Sequence, residues 1–345
     1  MWTLLAIWSL MVSEPDLAVT ANRVWAGEQW IEDGVVLVRE GVIVGVGSRL
    51  PIPEGVERLE VLGGSIVPGG LLFASRLGIE GRGHKDPDPA VLRRAEEWLR
   101  LDRAIVLAAR SRGWTAAHVL PPAPKRLSIG EAVIVGLRAE AQVDECRIVA
   151  PSSIVIELGE LELADELDVL AALRRALMAP GHHTWMEAVR AGEATLGIVA
   201  PRRTTLDRVV AVCEGSGLMV TWVAGRGAVG LSSRGLSVRI GSTLAIRRLP
   251  RGVPSMPTCW QEPASLRDLR WEGLRSSSVP ESLWSSFSSA PAGLLGLGDR
   301  VGQIALGMRA DLVVYDGPLD AARTAVAATV VDGRVLPSAA ADEKR

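Results

Sequence analysis

The chain has 345 residues, 48% of them apolar, and a formal net charge of −2. That length suits one large domain with a smaller companion, and that composition excludes a disordered chain. The near-neutral charge gives no footing for a nucleic-acid or anionic-membrane partner.

The chain opens on a strongly apolar stretch, residues 1–12, within a segment that extends to residue 16. It is too short to span a bilayer and stay there, so no transmembrane span is expected. Its apolar core fits an export signal cut near Ser13 or Ala18, but the basic start of such signals is missing. Cytoplasm and export therefore both stay open.

Residues 17–66 alternate short β-like runs (35–38, 42–47, 56–61) with turns at 32–34, 40–41 and 51–55. The middle, 67–301, alternates helix and strand signals. Helices are predicted over 89–110, 163–178, 204–215, 265–274 and 282–288. Strands are predicted over 113–120, 132–137, 148–158, 195–200, 218–223 and 236–240. Alternating βα units imply a parallel sheet, open or closed into a barrel. Residues 302–338 return to β-like runs at 311–316, 325–331 and 335–336, with Asp332-Gly333 as a hairpin turn. A polar tail, 339–345, ends the chain. Two β-rich ends around a different middle predict a small β-sandwich domain built from both termini.

The three cysteines, Cys146, Cys213 and Cys259, are far apart, and no C-x-x-C occurs. Buried free thiols are expected rather than a disulfide framework or a structural zinc site. The G-x-S-x-G elbow and the phosphate-binding G-x-x-x-x-G-K-[ST] loop are both missing from the sequence.

Two stretches carry a resemblance. Residues 65–76 run S-I-V-P-G-G-L-L-F-A-S-R, and residues 296–315 run G-L-G-D-R-V-G-Q-I-A-L-G-M-R-A-D-L-V-V-Y. With D-G-x-V-L-V and E-G-V-I-V-G-V-G near the start, and V-V-D-G-R-V near the end, the chain from residue 17 to 336 resembles the amidohydrolase superfamily. It is most similar to the imidazolonepropionase-like branch. The resemblance implies an α/β fold: a (β/α)8 TIM-type barrel beside a small β-sandwich made from both termini. About 220 residues lie between the end motifs, against ~250 for a typical barrel, so a shortened barrel is expected.

The resemblance also implies hydrolysis of non-peptide carbon–nitrogen bonds with one or two divalent metals, zinc or another. The metal turns a bound water into hydroxide near neutral pH. Yet the first-strand motif of the family ends H-x-H, and here those positions are Ala74 and Arg76. The fifth- and sixth-strand histidines should fall at 198–200 and 222–225, where Val199 and Ala224 stand instead. Guanidinium has no lone pair to donate and repels a dication. No resident metal or other cofactor is therefore expected. Arg76 is predicted to project into the former metal site. There it either pairs with Glu80 or another rim acid, or binds a carboxylate or phosphate of a small ligand.

The remaining candidates are few. His118, at the end of a predicted strand, is a rim acid/base or a hydrogen-bonded rim histidine. Glu80, His84, Asp86 and Asp88 form a polar loop after the first strand, with His84 a ligand-binding candidate. Glu262 is the one carboxylate in the windows for the last-strand aspartate, and His182-His183 sit in a turn. Three readings follow: a degenerate member binding a small molecule at the barrel mouth, an active C–N hydrolase with a rearranged site, or a structural or interaction protein. By analogy with related barrels, a homo-oligomer is an expected assembly.

Overall fold

The computed structural model describes residues 15–27, 29–79, 92–139, 141–148, 152–159, 161–178, 184–224, 238–240, 243–245, 285, 287–319 and 324–337. The apolar start, the loop bearing Glu80, His84, Asp86 and Asp88, the pair His182-His183, Cys259, Glu262 and the helix expected at 265–274 lie outside them. Among the described residues, no helix is long and apolar enough to cross a membrane.

The first four strands are β1 (Leu17–Ala26), β2 (Gln29–Arg39), β3 (Val42–Ser48) and β4 (Glu57–Pro68). The β2–β3 turn is tight because Glu40 and Gly41 both adopt positive φ (50° and 78°), the requirement of a two-residue hairpin turn. β1 pairs antiparallel with β2 and parallel with β4.

Two further strands at the C-terminal end, β15 (Val326–Val331) and β16 (Arg334–Pro337), are joined by Asp332-Gly333, with φ of 55° and 73°. Together with β14 (Leu312–Tyr315) they complete a seven-stranded sheet in the order β16-β15-β14-β4-β1-β2-β3. Leu312 lies opposite Pro68 and Tyr315 opposite Ser65, so the last strands dock on β4. Strands from both ends of the sequence thus share one sheet.

The middle of the chain builds a second sheet. Its strands are β5 (Gly70–Ser75), β6 (Arg93–Arg94), β7 (Trp114–Val119), β8 (Leu127–Gly136), β9 (Ser152–Leu158), β10 (Ala194–Val199) and β11 (Trp222–Ala224). The order is β11-β10-β9-β8-β7-β5, with β6 paired to β8. β5 and β7 are parallel, as are β9, β10 and β11. β8, the third strand in sheet order, is antiparallel to both neighbours. That corrects the expectation of an all-parallel sheet. Seven residues, 120–126, join β7 to β8, too few for the crossover that a parallel pair needs. Three prolines in that loop, Pro121, Pro122 and Pro124, rule out a helical connection there.

The helices are α1 (Arg103–Arg110), α2 (Val143–Cys146), α3 (Leu163–Met178), α4 (Thr184–Ala191), α5 (Arg203–Gly215) and α6 (Ser289–Leu294). The single long helix expected over 89–110 is not formed. Arg93 and Arg94 are drawn into sheet pairing with Gly130 and Glu131, and Ala95–Glu97 is a 3-10 turn. The helix starts afresh where the Asp102 carboxylate accepts the Ile105 N–H at 2.8 Å, an N-cap. α3 and α5 are tied by the buried Glu166, which accepts from Thr205 Oγ1 at 2.9 Å and Arg208 Nη1 at 2.8 Å. Beyond β11, β12 (Val238–Ile240) and β13 (Thr243–Ala245) form a separate antiparallel pair.

Alternation along the second sheet sorts side chains to two faces. Leu72, Trp114, Ala117, Val119, Val133 and Val135 face a core shared with Trp25, Val67, Val313 and Tyr315 of the first sheet. Ile154, Ile156, Leu196 and Ile198 pack against α3, α4 and α5. The opposite face of the sheet curls on itself. Phe73 of β5 and Trp222 of β11, from the two ends of the sheet, meet edge to face at 5.0 Å between ring centroids. The sheet is therefore barrel-like and nearly closed, within an α/β fold.

Candidate functional site

The parallel strands β5, β7, β9, β10 and β11 all end on one edge of the curled sheet, the edge where barrel enzymes carry their chemistry. Ala74, Val199 and Ala224 stand near or at those ends. Their exposures are 2%, 0% and 0%, and all three belong to one apolar cluster with Leu71, Phe73, Leu120, Ile134, Trp222 and Leu297. β10 and β11 are the fifth and sixth strands in sheet order, and Val199 lies opposite Ala224.

His118 is the imidazole among these residues, and it is not on an exposed rim. It is wholly buried (0%), stacked on Phe73 at 5.3 Å and edge-on to Trp222 at 5.4 Å. The Ala74 N–H donates to His118 Nδ1 at 3.3 Å, and Nε2 lies 3.1 Å from Ser153 Oγ. An Nδ1 that accepts assigns the proton to Nε2, which then donates to the serine. Burial pushes the imidazole pKa down to about 3. His118 is thus a neutral, satisfied core residue rather than a solvent-facing acid or base. Ala74 adopts φ of +50° to aim its N–H at the ring, a left-handed conformation that a non-glycine residue holds only when its surroundings impose it.

Glycine placement shapes the same interior. A Cβ on Gly197 would lie 2.0 Å from Cζ2 of Trp222, so the indole rests directly on the β10 backbone. At the entry to β5, a Cβ on Gly69 would lie 2.0 Å from Thr115 Oγ1. The P-G-G stretch thus serves close packing of β5 on β7.

Arg76 leaves the end of β5 and forms a short ion pair with Glu157 of β9. Its Nε also donates to the Pro121 carbonyl at 3.3 Å. Arg93 Nη1 donates to the next carbonyl, Pro122 O, at 3.2 Å. Two guanidinium groups from different strands therefore hold the 120–126 loop and share Glu157 as counter-charge. Burial raises the Glu157 pKa to about 7, against the pull of Arg76 and Arg93. Burial also lowers the Arg93 pKa; Glu157 opposes that shift and Arg76 adds to it.

Sequence reasoning found Arg76 and missed both partners. Glu157 had a visible signal: it is the one charge in the apolar run Ser152–Leu158, one residue before its end. Arg93 had none, because its role depends on a two-residue strand inside a segment that looks helical.

A divalent metal needs imidazole, carboxylate or thiolate donors in convergent positions. Three of the four expected ligand positions are apolar and the fourth is a cation. Both nitrogens of His118 are engaged, and Glu157 is committed to Arg76. Among the described residues, no three His, Cys, Asp or Glu side chains converge to hold a metal. These residues do not fit the metal centre that the resemblance implies. Cys146 and Cys213 are buried free thiols away from the mouth.

Comparison with known proteins gives three results. A sequence model described as the amidohydrolase family matches residues 275–337. The chain superposes on a solved amidohydrolase from Thermotoga maritima MSB8 with a TM-score of 0.73 and 18% identity, covering 93% of this chain and 99% of that one. A Xaa-Pro dipeptidase matches with a TM-score of 0.49 and 11% identity (93% and 99% covered), and a putative prolidase from Bifidobacterium longum with 0.48 and 14% (94% and 94%). No curated protein sequence matches the chain.

Proposed function

We infer that this chain is a catalytically degenerate relative of the amidohydrolase superfamily that binds a small ligand at the old barrel mouth. The observation that carries the reading is the packing of Ala74, Val199 and Ala224 into one buried apolar cluster, where the family's chemistry would need lone-pair donors. Among the described residues no donor set for a hydroxide-generating metal converges there, so on this reading the family's attack on a carbonyl-like carbon is lost. The end motifs support descent from the imidazolonepropionase-like branch, whose members act on non-peptide carbon–nitrogen bonds. We read the curled second sheet as a reduced (β/α)8 barrel in which the third strand has turned round.

Ligand binding is supported by what replaced the donors. Arg76 is fixed in direction by Glu157 and by Pro121 O while its side chain keeps 22% of its surface exposed. A guanidinium held this way recognises planar oxygen pairs without first losing conformational freedom.

The test is metal content per chain, by elemental mass spectrometry on protein purified without chelator or affinity tag, followed by assays on cyclic amides with zinc, iron, manganese or nickel added. Less than about a tenth of a metal per chain and no metal-stimulated hydrolysis are expected, since a site lacking donors has no appreciable affinity. Close to one metal per chain would overturn the reading and favour an active hydrolase, with Glu80, His84 and Glu262 the first residues to replace.

A further inference from the structure

We propose that α3 is a self-association surface, across which two copies of this chain pair with their α3 helices antiparallel about a two-fold axis. The inference goes beyond the degenerate-enzyme reading and does not depend on it, because α3 packs on the helix-covered face of the second sheet and not at the strand ends.

One side of α3 serves the fold. Val169, Leu173 and Leu177 recur every four residues and are buried with Ile154 and Ile156 of β9. Glu166, on the same side, is tied to α5. A second apolar row is left over. Leu167 is 63% exposed and Met178 66%, and Ala171 between them is exposed as well. With Arg174, these residues are spaced four, three and four apart, the spacing of a seam between two helices. An aligned row of this kind, unlike scattered single residues, marks an interaction surface.

The charges beside the row select the partner. Asp168 follows Leu167 and Arg175 follows Arg174, so both flank the same side of the row. Both are exposed, and among the described residues neither makes an ion pair. A parallel second copy would set Arg175 against its own counterpart. An antiparallel one sets Asp168 against Arg175 of the second copy, twice by symmetry. In the same register, with the axis between Ala172 and Leu173, Leu167 layers on Met178 and Ala171 on Arg174 of the second copy. The small Ala171 leaves room for the arginine stem, whose guanidinium reaches solvent at the rim. The helix dipole accounts for an acid early and a base late, but not for their placement along one apolar row. The face is therefore complementary to itself in both apolar surface and charge. A single helix pair is a small contact, under about 1,200 Å², so a dimer that dissociates reversibly is expected.

The experiment is sedimentation equilibrium of the full chain at neutral pH over a wide range of concentration, at low and at high salt. A reversible monomer–dimer equilibrium is expected, weaker at high salt. Asp168→Arg and Arg175→Glu should each raise the dissociation constant about tenfold or more, since each sets like charges opposite one another at two symmetric places. Mixed in equal amounts, the two variants should associate again, because every facing pair in the mixed dimer then has opposite signs. If either charge reversal does not fold, as judged by circular dichroism, Leu167→Gln and Met178→Gln still decide. They lie at opposite ends of the row but in the same layers of the dimer, so both should weaken association to a similar degree. A chain that stays monomeric at the highest concentration overturns the proposal. So does a dimer that these substitutions leave unchanged, or a pair of weakened charge variants that mixing does not rescue.

Discussion

At the scale of single residues, His118 and Glu157 set opposite pH dependences. The folded pKa of His118, about 3, lies below the ordinary 6.5. Between those values the unfolded chain binds the extra proton, so this residue makes stability fall as pH drops below 6.5. Glu157 is raised from 4.5 to about 7. In that window the folded chain binds the extra proton, so this residue makes stability fall as pH rises. Each slope is about 1.4 kcal/mol per pH unit, and the two oppose one another between pH 4.5 and 6.5. Glu157→Gln removes one of them. Urea denaturation should show the stability of the variant climbing relative to the native chain across that window, by about that slope. Parallel curves would contradict the assignment. Gly197→Ala tests packing instead: with Trp222 only 2.0 Å from the added carbon, the substitution should cost about 1–3 kcal/mol, and the Trp222 fluorescence environment should change with it.

At the scale of elements, placing histidines at the positions where the resemblance expects metal ligands is the instructive variant. Ala74→His with Arg76→His should give no metal-dependent hydrolysis, because β10 and β11 still present Val199 and Ala224. It should also lose about 2 kcal/mol or more, since an imidazole must enter a filled cluster at a residue with φ of +50°. Clear metal-dependent turnover would show that the ligands on β10 and β11 had been sought in the wrong places. How much of this was legible in the sequence differs between elements. The hairpin at Asp332-Gly333 was plain, because positive φ at two successive residues selects Asp-Gly chemistry directly. α3 was plain because its pattern is long and its composition helical. α4 is not legible in this way, because its eight residues after Pro180-Gly181 are too few for a helical period to stand out. The run 89–110 misled, because local helix propensity there yields to the pairing of Arg93-Arg94 with β8. The reversed direction of β8 was signalled only by the brevity of its proline-rich connection. That Ala74, Arg76, Val199 and Ala224 offer no lone pair to a metal is plain from residue identity, whereas Glu157 and Arg93 come beside Arg76 only through the curl of the sheet.

At the scale of the whole molecule, the R-A-D stretch of the C-terminal motif joins the two sheets. Arg309 Nε lies 3.3 Å from Asp311 Oδ1 and 3.4 Å from Asp332 Oδ1, and Arg138, just beyond β8, reaches Asp332 at 3.9 Å. A Cβ on Gly136 of β8 would lie 2.5 Å from Arg309 Nη2, so the arginine lies close against the second sheet. Asp311 is 5% exposed, and burial raises its pKa while Arg309 pulls it back. Arg309→Met would strand that carboxylate, and a loss of about 3–5 kcal/mol is expected from thermal or urea unfolding. Recovery in the Arg309→Met, Asp311→Asn double variant would show that the cost came from the stranded charge. A loss under 1 kcal/mol in the single variant would show that apolar packing alone joins the sheets. This stretch carries the family resemblance most clearly, and its role here is architectural.

The reversal of β8 has a kinetic consequence. A parallel barrel strand must wait for its crossover helix to bring it beside its neighbour, whereas β7 and β8 pair through a connection of seven residues. Low sequence separation speeds the search for native contacts. Pulse-labelled hydrogen exchange during refolding should find the amides of Trp114–Val119 and Leu127–Gly136 protected before those of Glu57–Pro68 in β4. That strand pairs with β1 in parallel and with β14 from the far end of the sequence. The hairpin that carries His118, and whose loop the two arginines grip, would then be among the first parts of the molecule to take their final form.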